Sequence, residues 1–315
     1  ERALTLAWRG WGRVHPNPMV GAVVLRGDAV VGEGWHADFG GPHAEVAALD
    51  AAGDAAQGAT LVVTLEPCRH HGKQPPCTDA IVRAGIRRVV AAISDPDPTA
   101  AGGAAALRRA GVEVALGPGA VVACRQNAAF RHRFTGSRRP WVALKLATSI
   151  DGGIADAAGR SRWVSGAEAR EYAHWLRAGF DALAVGGATA RADDPALTVR
   201  GSVAPRVAPA RVVITAKDAL PVSLQLVRTA RAVRTIVLTT SDRAGAAADL
   251  TAAGVMVESA GSLDAGLVRL REHAGVLSLL VEGGGRLAGA LLEAGLVDRM
   301  YWIQAPLWLG NGAVP

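Results

Sequence analysis

The stretch from His43 to Cys77 constrains this chain more than any other. It reads His43-Ala44-Glu45, then Glu66-Pro67-Cys68, then residues 69–76, then Cys77. One imidazole and two thiols form the donor set of a zinc site that keeps one coordination position for water. A fold that uses all three must bring separate segments of chain to one point. Zinc lowers the pKa of its bound water to roughly 7, and a carboxylate two residues past the histidine can stand beside that water and move protons. His-Ala-Glu alone carries little information. The joint pattern carries more, because Cys68 and Cys77 are two of only 3 cysteines. His43, Cys68 and Cys77 are expected to bind zinc, with Glu45 as the catalytic acid–base.

Zinc nucleobase deaminases present donors in the same order, H-x-E and then P-C-x-x-C, with the glutamate not a ligand. Here the spacer between the thiols is longer and runs Arg69-His70-His71-Gly72-Lys73-Gln74-Pro75-Pro76. It carries positive charge, two histidines and a Pro-Pro turn. In this the chain resembles the bifunctional deaminase/reductase family of riboflavin biosynthesis. The motif of that family is His-Ala-Glu, then Glu-Pro-Cys, x, His, x, Gly-Lys, x, Pro-Pro-Cys, and every fixed position is present. Pro16-Asn17-Pro18, followed by Val20-Gly21-Ala22-Val23, resembles its substrate loop. The resemblance implies that Asn17 hydrogen-bonds a pyrimidine and that Lys73, with His71 beside it, meets a substrate phosphate.

The second half has a different signature. An apolar strand over 277–281 runs into Glu282-Gly283-Gly284-Gly285-Arg286 and then a helical stretch over 287–294. A glycine-rich turn opening a helix offers backbone N–H groups to an anion, and glycine lets a pyrophosphate approach closely. This is not the Rossmann G-x-G-x-x-G pattern. Lys145-Leu146-Ala147-Thr148-Ser149-Ile150-Asp151-Gly152 resembles the opening reductase motif of the same family, and Ser161-Arg162-Trp163 its Ser-x-Trp. The run from Thr189 through Asp193-Asp194-Pro195 to Leu197-Thr198 and Arg200 resembles its Thr-x-x-x-Asp-Asp-Pro-x-Leu-Thr-x-Arg segment.

The resemblance thus covers nearly the whole chain and implies a dihydrofolate-reductase-like α/β domain that binds NADPH. Lys145, Thr148, Trp163, Thr189, Asp193 and the turn Gly284, Gly285, Arg286, Leu287, Ala288, Gly289 and Ala290 would hold the cofactor. Ser161, Arg177, Leu197, Arg200 and Glu282 would hold the substrate. A guanidinium grips a phosphate bidentately, which suits Arg177 and Arg200 to a sugar phosphate, and Glu282 suits ribose hydroxyls. Gly153 departs from the family, which carries Lys or Arg there, and Val213-Ile214-Thr215-Ala216 lacks an aspartate common at that strand's end. Relatives continue past the position of Pro315, so the last reductase strands are expected to lie outside this sequence.

At 315 residues the chain can bury two cores. Strands are expected at 20–25, 29–34, 61–64, 88–93 and 112–116, with helices at 44–52, 78–84 and 103–110. This alternation argues a three-layer α/β domain, cytidine-deaminase-like by resemblance. Residues 121–134 read as helical and 135–140 as the linker, which sets the domains at 1–139 and 140–315. Further strands are expected at 141–147, 182–185, 211–214, 235–238, 255–257, 277–281 and 299–304. No apolar run reaches the length of a membrane span, no leader is evident, and three cysteines do not make a disulfide framework. A reducing cytoplasm is therefore expected, with Cys124 a free thiol in a helix. The net charge of +6 is dispersed and not interleaved with aromatics, so nucleic acid is not expected as a partner and phosphorylated small molecules are. The resemblance also implies a homo-oligomer, dimer or tetramer. Two rival readings are a tRNA deaminase with an accessory nucleotide-binding domain, which predicts the short C-x-x-C spacer, and a structural zinc site beside a regulatory nucleotide-binding module, which needs a fourth protein ligand.

Overall fold

The computed structural model describes residues 1–159, 165–216, 220–240 and 247–314. Its contacts divide into two units, Glu1–Gly136 and Ser137–Pro315.

The first unit runs α1 (Arg2–Ala7), β1 (Gly21–Arg26), β2 (Ala29–Trp35), α2 (Ala44–Ala52), β3 (Thr60–Val63), α3 (Cys77–Arg83), β4 (Arg88–Ala91), α4 (Gly103–Arg109), β5 (Glu113–Leu116), α5 (Ala120–Gln126) and α6 (Ala128–His132). The helical stretch expected over 121–134 is interrupted at Asn127. Its side chain leaves the helix to grip Met19, accepting from Met19 N at 2.8 Å and donating to Met19 O at 2.9 Å. The strands form one sheet in the order β2-β1-β3-β4-β5. β1 pairs antiparallel with β2 and β3, while β3, β4 and β5 are parallel. Alternating apolar residues on the sheet and one face of α2, α3 and α4 build the core, including Val24, Leu61, Ile81, Val89 and Leu107.

The helix that carries the His-Ala-Glu motif lies unusually close to the sheet. A Cβ at Gly32 would fall 2.3 Å from Ala48 O, and one at Gly34 would fall 2.4 Å from Ala44 O. Only glycine at these β2 positions lets α2 approach so far.

The second unit runs β6 (Trp141–Thr148), α7 (Ala167–Ala178), β7 (Ala182–Gly186), α8 (Gly187–Asp193), β8 (Ala210–Thr215), α9 (Gln225–Arg228), β9 (Thr235–Thr239), α10 (Ala247–Ala252), β10 (Met256–Ser259), α11 (Leu263–Glu272), β11 (Ser278–Glu282), α12 (Gly285–Glu293) and β12 (Arg299–Gln304). Its strands form one sheet in the order β10-β9-β8-β7-β11-β6-β12, and every pairing is parallel. Parallel strands covered on both faces read as continuous apolar runs, which is why β7, β8 and β11 are legible as blocks of Ala, Val, Leu and Ile. Arg211 in β8 breaks the pattern: it is 2% exposed. Its guanidinium is satisfied by Thr229 and Thr235 hydroxyls and by the Leu226 and Val233 carbonyls. No helix among the described residues is long and apolar enough to cross a membrane.

Candidate active sites

The three candidate zinc donors meet at one place from the start of α2, the loop after β3 and the start of α3. His43 caps the N-terminus of α2 with an extended backbone, and Glu45 follows in the first turn. Cys68 lies just past the end of β3, and Cys77 is the first residue of α3. The peptide N–H of Cys77 points at Cys68 Sγ (3.5 Å), and Thr78 N donates to Cys68 O at 3.2 Å. His43 Nδ1 lies 3.2 Å from Cys77 Sγ and 3.5 Å from Cys68 Sγ, and all three donor atoms fall within 4.8 Å of one another. A tetrahedral zinc with bonds of roughly 2.0–2.3 Å has donor–donor edges of about 3.5 Å, so the set fits the ion.

The two thiols and the imidazole hold their protons unequally. Hydrogen bonds from Cys77 and His43 bring the Cys68 thiol down to about 4. The hydrogen bond to Cys68 and burial hold the Cys77 proton on. The Cys68 thiolate also raises the pKa of His43. Glu45 is 4% exposed, and burial pushes its carboxyl up to about 7. A carboxyl so placed exchanges protons near neutrality. Among the described residues no fourth His, Cys, Asp or Glu donor joins the cluster, which leaves no support for a closed structural zinc site.

A cavity of about 300 Å³ opens onto this cluster, lined by Asn17, His36, Phe39, Glu45, His70, Lys73 and Asp95 among others. His36 was not singled out from the sequence, where it is a lone histidine after a strand. Its Nδ1 lies 3.0 Å from Pro42 O, which can only accept, so Nδ1 carries the proton. Its Nε2 therefore accepts from Asn17 Nδ2 at 3.3 Å. Burial lowers the pKa of His36 and keeps it neutral. The Asn17 amide is thereby oriented, with Oδ1 left as an acceptor for a ligand. The Asn17 loop is clamped by Asn127 on Met19 and by Arg133, which donates to Pro16 O at 2.8 Å.

The Lys73 ammonium sits 3.9 Å from the centre of the Phe39 ring. His70 lines the cavity and its buried Nδ1 has no partner among the described residues. His71, expected beside Lys73 at the phosphate, is instead exposed and outside the lining. Of the two adjacent histidines, only His70 is in the cavity lining. Glu66 is also buried: its oxygens accept from Ala104 N (2.8 Å) and Asp95 N (3.1 Å), tying α4 and the loop after β4 to the Pro67-Cys68 segment. Asp95 has its carboxyl pushed up to about 6 by burial.

In the second unit a cleft of about 910 Å³ is lined by Lys145, Thr189, Asp193, Gly284, Gly285, Arg286, Gly289 and Ala290. Gly284 caps α12 at φ 76°, and a Cβ there would lie 2.9 Å from Thr189 Oγ1. The bare backbone leaves a cradle at a helix N-terminus, which suits a dinucleotide's pyrophosphate. Leu287 and Ala288 are outside this lining; Ala288 is in the core and Leu287 packs against it. Thr148 also lies outside it, its hydroxyl accepting from Trp302 Nε1 at 2.8 Å. Ser161 and Trp163 fall outside the described residues.

Arg177 and Glu282, expected to face a substrate separately, grip each other bidentately at 2.6 and 2.7 Å. Lys145 is the register partner of Glu282 on the neighbouring strand, and burial lowers its pKa. Leu197 is buried with φ 45°. Arg200 is exposed, and its guanidinium has no acidic partner among the described residues.

An open zinc donor set with a buried carboxyl, on a mixed sheet, and a parallel-sheet unit with a glycine cradle define a two-domain deaminase/reductase. Residues 1–93 match the model of the cytidine and deoxycytidylate deaminase zinc-binding region, and residues 140–315 match the RibD C-terminal domain. Riboflavin biosynthesis protein RibD of Aquifex aeolicus is 42% identical over 98% of this chain and 86% of its own length. That of Escherichia coli is 41% identical over 99% and 88%. Two solved structures cover 99% of this chain and 87% of their own at 37% identity. They are RibD of Acinetobacter baumannii, with a TM-score of 0.83, and a diaminohydroxyphosphoribosylaminopyrimidine deaminase/5-amino-6-(5-phosphoribosylamino)uracil reductase of Thermotoga maritima, with a TM-score of 0.84. The chain belongs to the RibD family of riboflavin biosynthesis proteins. That membership favours the bifunctional reading over the tRNA deaminase.

Proposed function

We propose that the chain carries out two consecutive steps of riboflavin biosynthesis. The first is the hydrolytic deamination of a diaminopyrimidinone bearing a ribosylamino 5′-phosphate. The second is the NADPH-dependent reduction of the ribosyl group to ribityl. The observation that carries the reading is the donor set of His43, Cys68 and Cys77 with Glu45 beside it, opening onto a cavity that holds Asn17 and Lys73.

Bound at that donor set, zinc would supply an acidified water as nucleophile. Glu45 takes one proton of the water to the ring nitrogen and then carries its second proton to the amino group, so that the C–N bond breaks with loss of ammonia as the carbonyl forms. Asn17, oriented by His36, accepts from the pyrimidine. Lys73, with His70 lining the same wall, meets the phosphate. Phe39 and Phe130 wall the cavity with apolar surface.

In the second domain NADPH would supply hydride to the sugar C1. Lys145, Thr189, Asp193, Gly284, Gly285, Arg286, Gly289 and Ala290 line the cofactor cleft, while Arg200 meets the sugar phosphate. The Arg177–Glu282 pair fixes the wall between them rather than offering two free charges. Thr148, Trp163, Ser161 and Leu197 keep the roles that the family resemblance implies. We place the deaminase at 1–139 and the reductase at 140–315, working as a homo-oligomer in the cytoplasm. The test supplies the diaminopyrimidine phosphate with and without NADPH and measures ammonia release and NADPH oxidation separately. Ammonia without NADPH, and NADPH oxidation only after ammonia, is the expected result. No ammonia release by zinc-loaded protein would overturn the reading.

A further inference from the structure

The segment 194–200, between α8 and β8, has no regular structure of its own. Two of its non-glycine residues hold left-handed conformations, Asp194 at φ 39° and Leu197 at φ 45°. Such residues are strained and persist only when surrounding contacts over-determine them. Its backbone polar groups must also find partners elsewhere.

Two of those partners come from one face of α7. His174 and Arg177 stand one helical turn apart. Arg177 donates from Nη1 to Thr198 O at 2.9 Å. His174 Nδ1 accepts from Arg200 N at 3.1 Å. The helix thus holds a carbonyl and an amide two residues apart, and Glu282 locks Arg177 in turn. Since Nδ1 is an acceptor, the His174 proton sits on Nε2. Burial, and after it the cations Arg177 and Arg200 around it, lower its pKa and support the neutral form.

Resting on the reductase reading above, we propose that His174 is a positioning residue of the reductase. It fixes the backbone from which Arg200 reaches the sugar phosphate. His174 needs no contact with substrate or cofactor for this. Its acceptor atom sets the direction of the Arg200 N–H, and so the origin of the side chain. An asparagine at 174 can put Oδ1 where Nδ1 stands; a glutamine amide reaches toward Nε2 instead and leaves the Arg200 N–H without its acceptor.

The experiment compares wild type, His174→Asn and His174→Gln, each alone and with Arg200→Ala, in the full chain. KM and kcat are read with the deaminated phosphoribosylamino substrate, and NADPH affinity by fluorescence titration without substrate. His174→Gln should raise the KM roughly 3- to 10-fold, the size of one neutral hydrogen bond, with kcat and NADPH affinity unchanged. His174→Asn should return most of that loss, and His174→Gln should add nothing once Arg200→Ala is present. Equal losses in the Asn and Gln variants, or a parallel fall in NADPH affinity, would overturn the proposal. So would an effect that survives undiminished beside Arg200→Ala. If wild type turns over and His174→Gln leaves KM unchanged, the inference alone fails. If wild type does not oxidise NADPH with this substrate, the reductase reading fails and takes the inference with it.

Discussion

Replacing Glu66 by glutamine tests whether the loops around the zinc donors are held by a single buried carboxylate. Glu66 is 6% exposed. Its two oxygens accept from the peptide N–H groups of Ala104 and Asp95. Ala104 is in the first turn of α4, whose cap residue Gly102 makes no side-chain cap, so Glu66 supplies that cap from a distant part of the chain. Glutamine keeps the shape but turns one acceptor into a donor. One of the two N–H groups then faces an NH₂ group. A hydrogen bond to a charged group contributes about 1.5–3 kcal/mol, and a buried donor left unmade costs about 1–3 kcal/mol. The negative charge near the start of α4 adds about 0.3–1 kcal/mol. Because these figures overlap in what they count, the expected loss is about 3 kcal/mol. Urea unfolding of the zinc-loaded protein, followed by a probe in the first unit, reads this directly. Cys68 lies two residues on, so zinc affinity measured against a competing chelator should fall as well. A loss below about 0.5 kcal/mol, in the range of an ordinary surface substitution, would refute the claim that this carboxylate holds the two loops.

Four further outcomes are expected. Glu45→Gln should retain zinc and lose ammonia release by ~10²–10⁴-fold, checked by metal analysis beside steady-state rates. Cys68→Ser should lose both metal and deamination, and full zinc occupancy in that variant would remove Cys68 from the donor set. Zinc affinity should fall as pH is lowered, because the hydrogen bond that His43 donates to the Cys68 thiolate raises the His43 pKa and Cys77 also holds its proton, so protons compete for the donors; a pH-independent affinity between pH 8 and pH 5.5 would contradict this. Arg177→Met should destabilise the second unit by about 2–3 kcal/mol, below the roughly 3–5 kcal/mol of a broken buried pair, because Lys145 remains beside the Glu282 carboxylate; adding Glu282→Gln should recover part of it, whereas additive losses in urea unfolding would count against the pairing.

The zinc site was legible because its chemistry fixes residue types. Only thiols and imidazoles make that donor set, and the chain holds 3 cysteines, so His43, Cys68 and Cys77 could be joined before any geometry was known. The strands were legible because the apolar blocks of a parallel sheet leave few other readings, and the glycine turn at 283–285 announced a helix start with an exposed backbone. What the sequence left open were partners that lie far apart along it. Neither His36 nor Glu66 carries a local signal for its role. His36 acquires one from Pro42 and Asn17, and Glu66 from Asp95 and Ala104. Two adjacent histidines in the spacer look alike in one dimension, and only the path of the chain turns His70 inward and His71 out. Arg177 and Glu282 read as two charges waiting for a ligand until β11 and α7 brought them together at hydrogen-bonding distance. The sequence alone determined which chemistry the residues can support, since donor type and periodicity are local properties. The tertiary structure decided which charges remain available to a ligand, because pairing depends on distance in space.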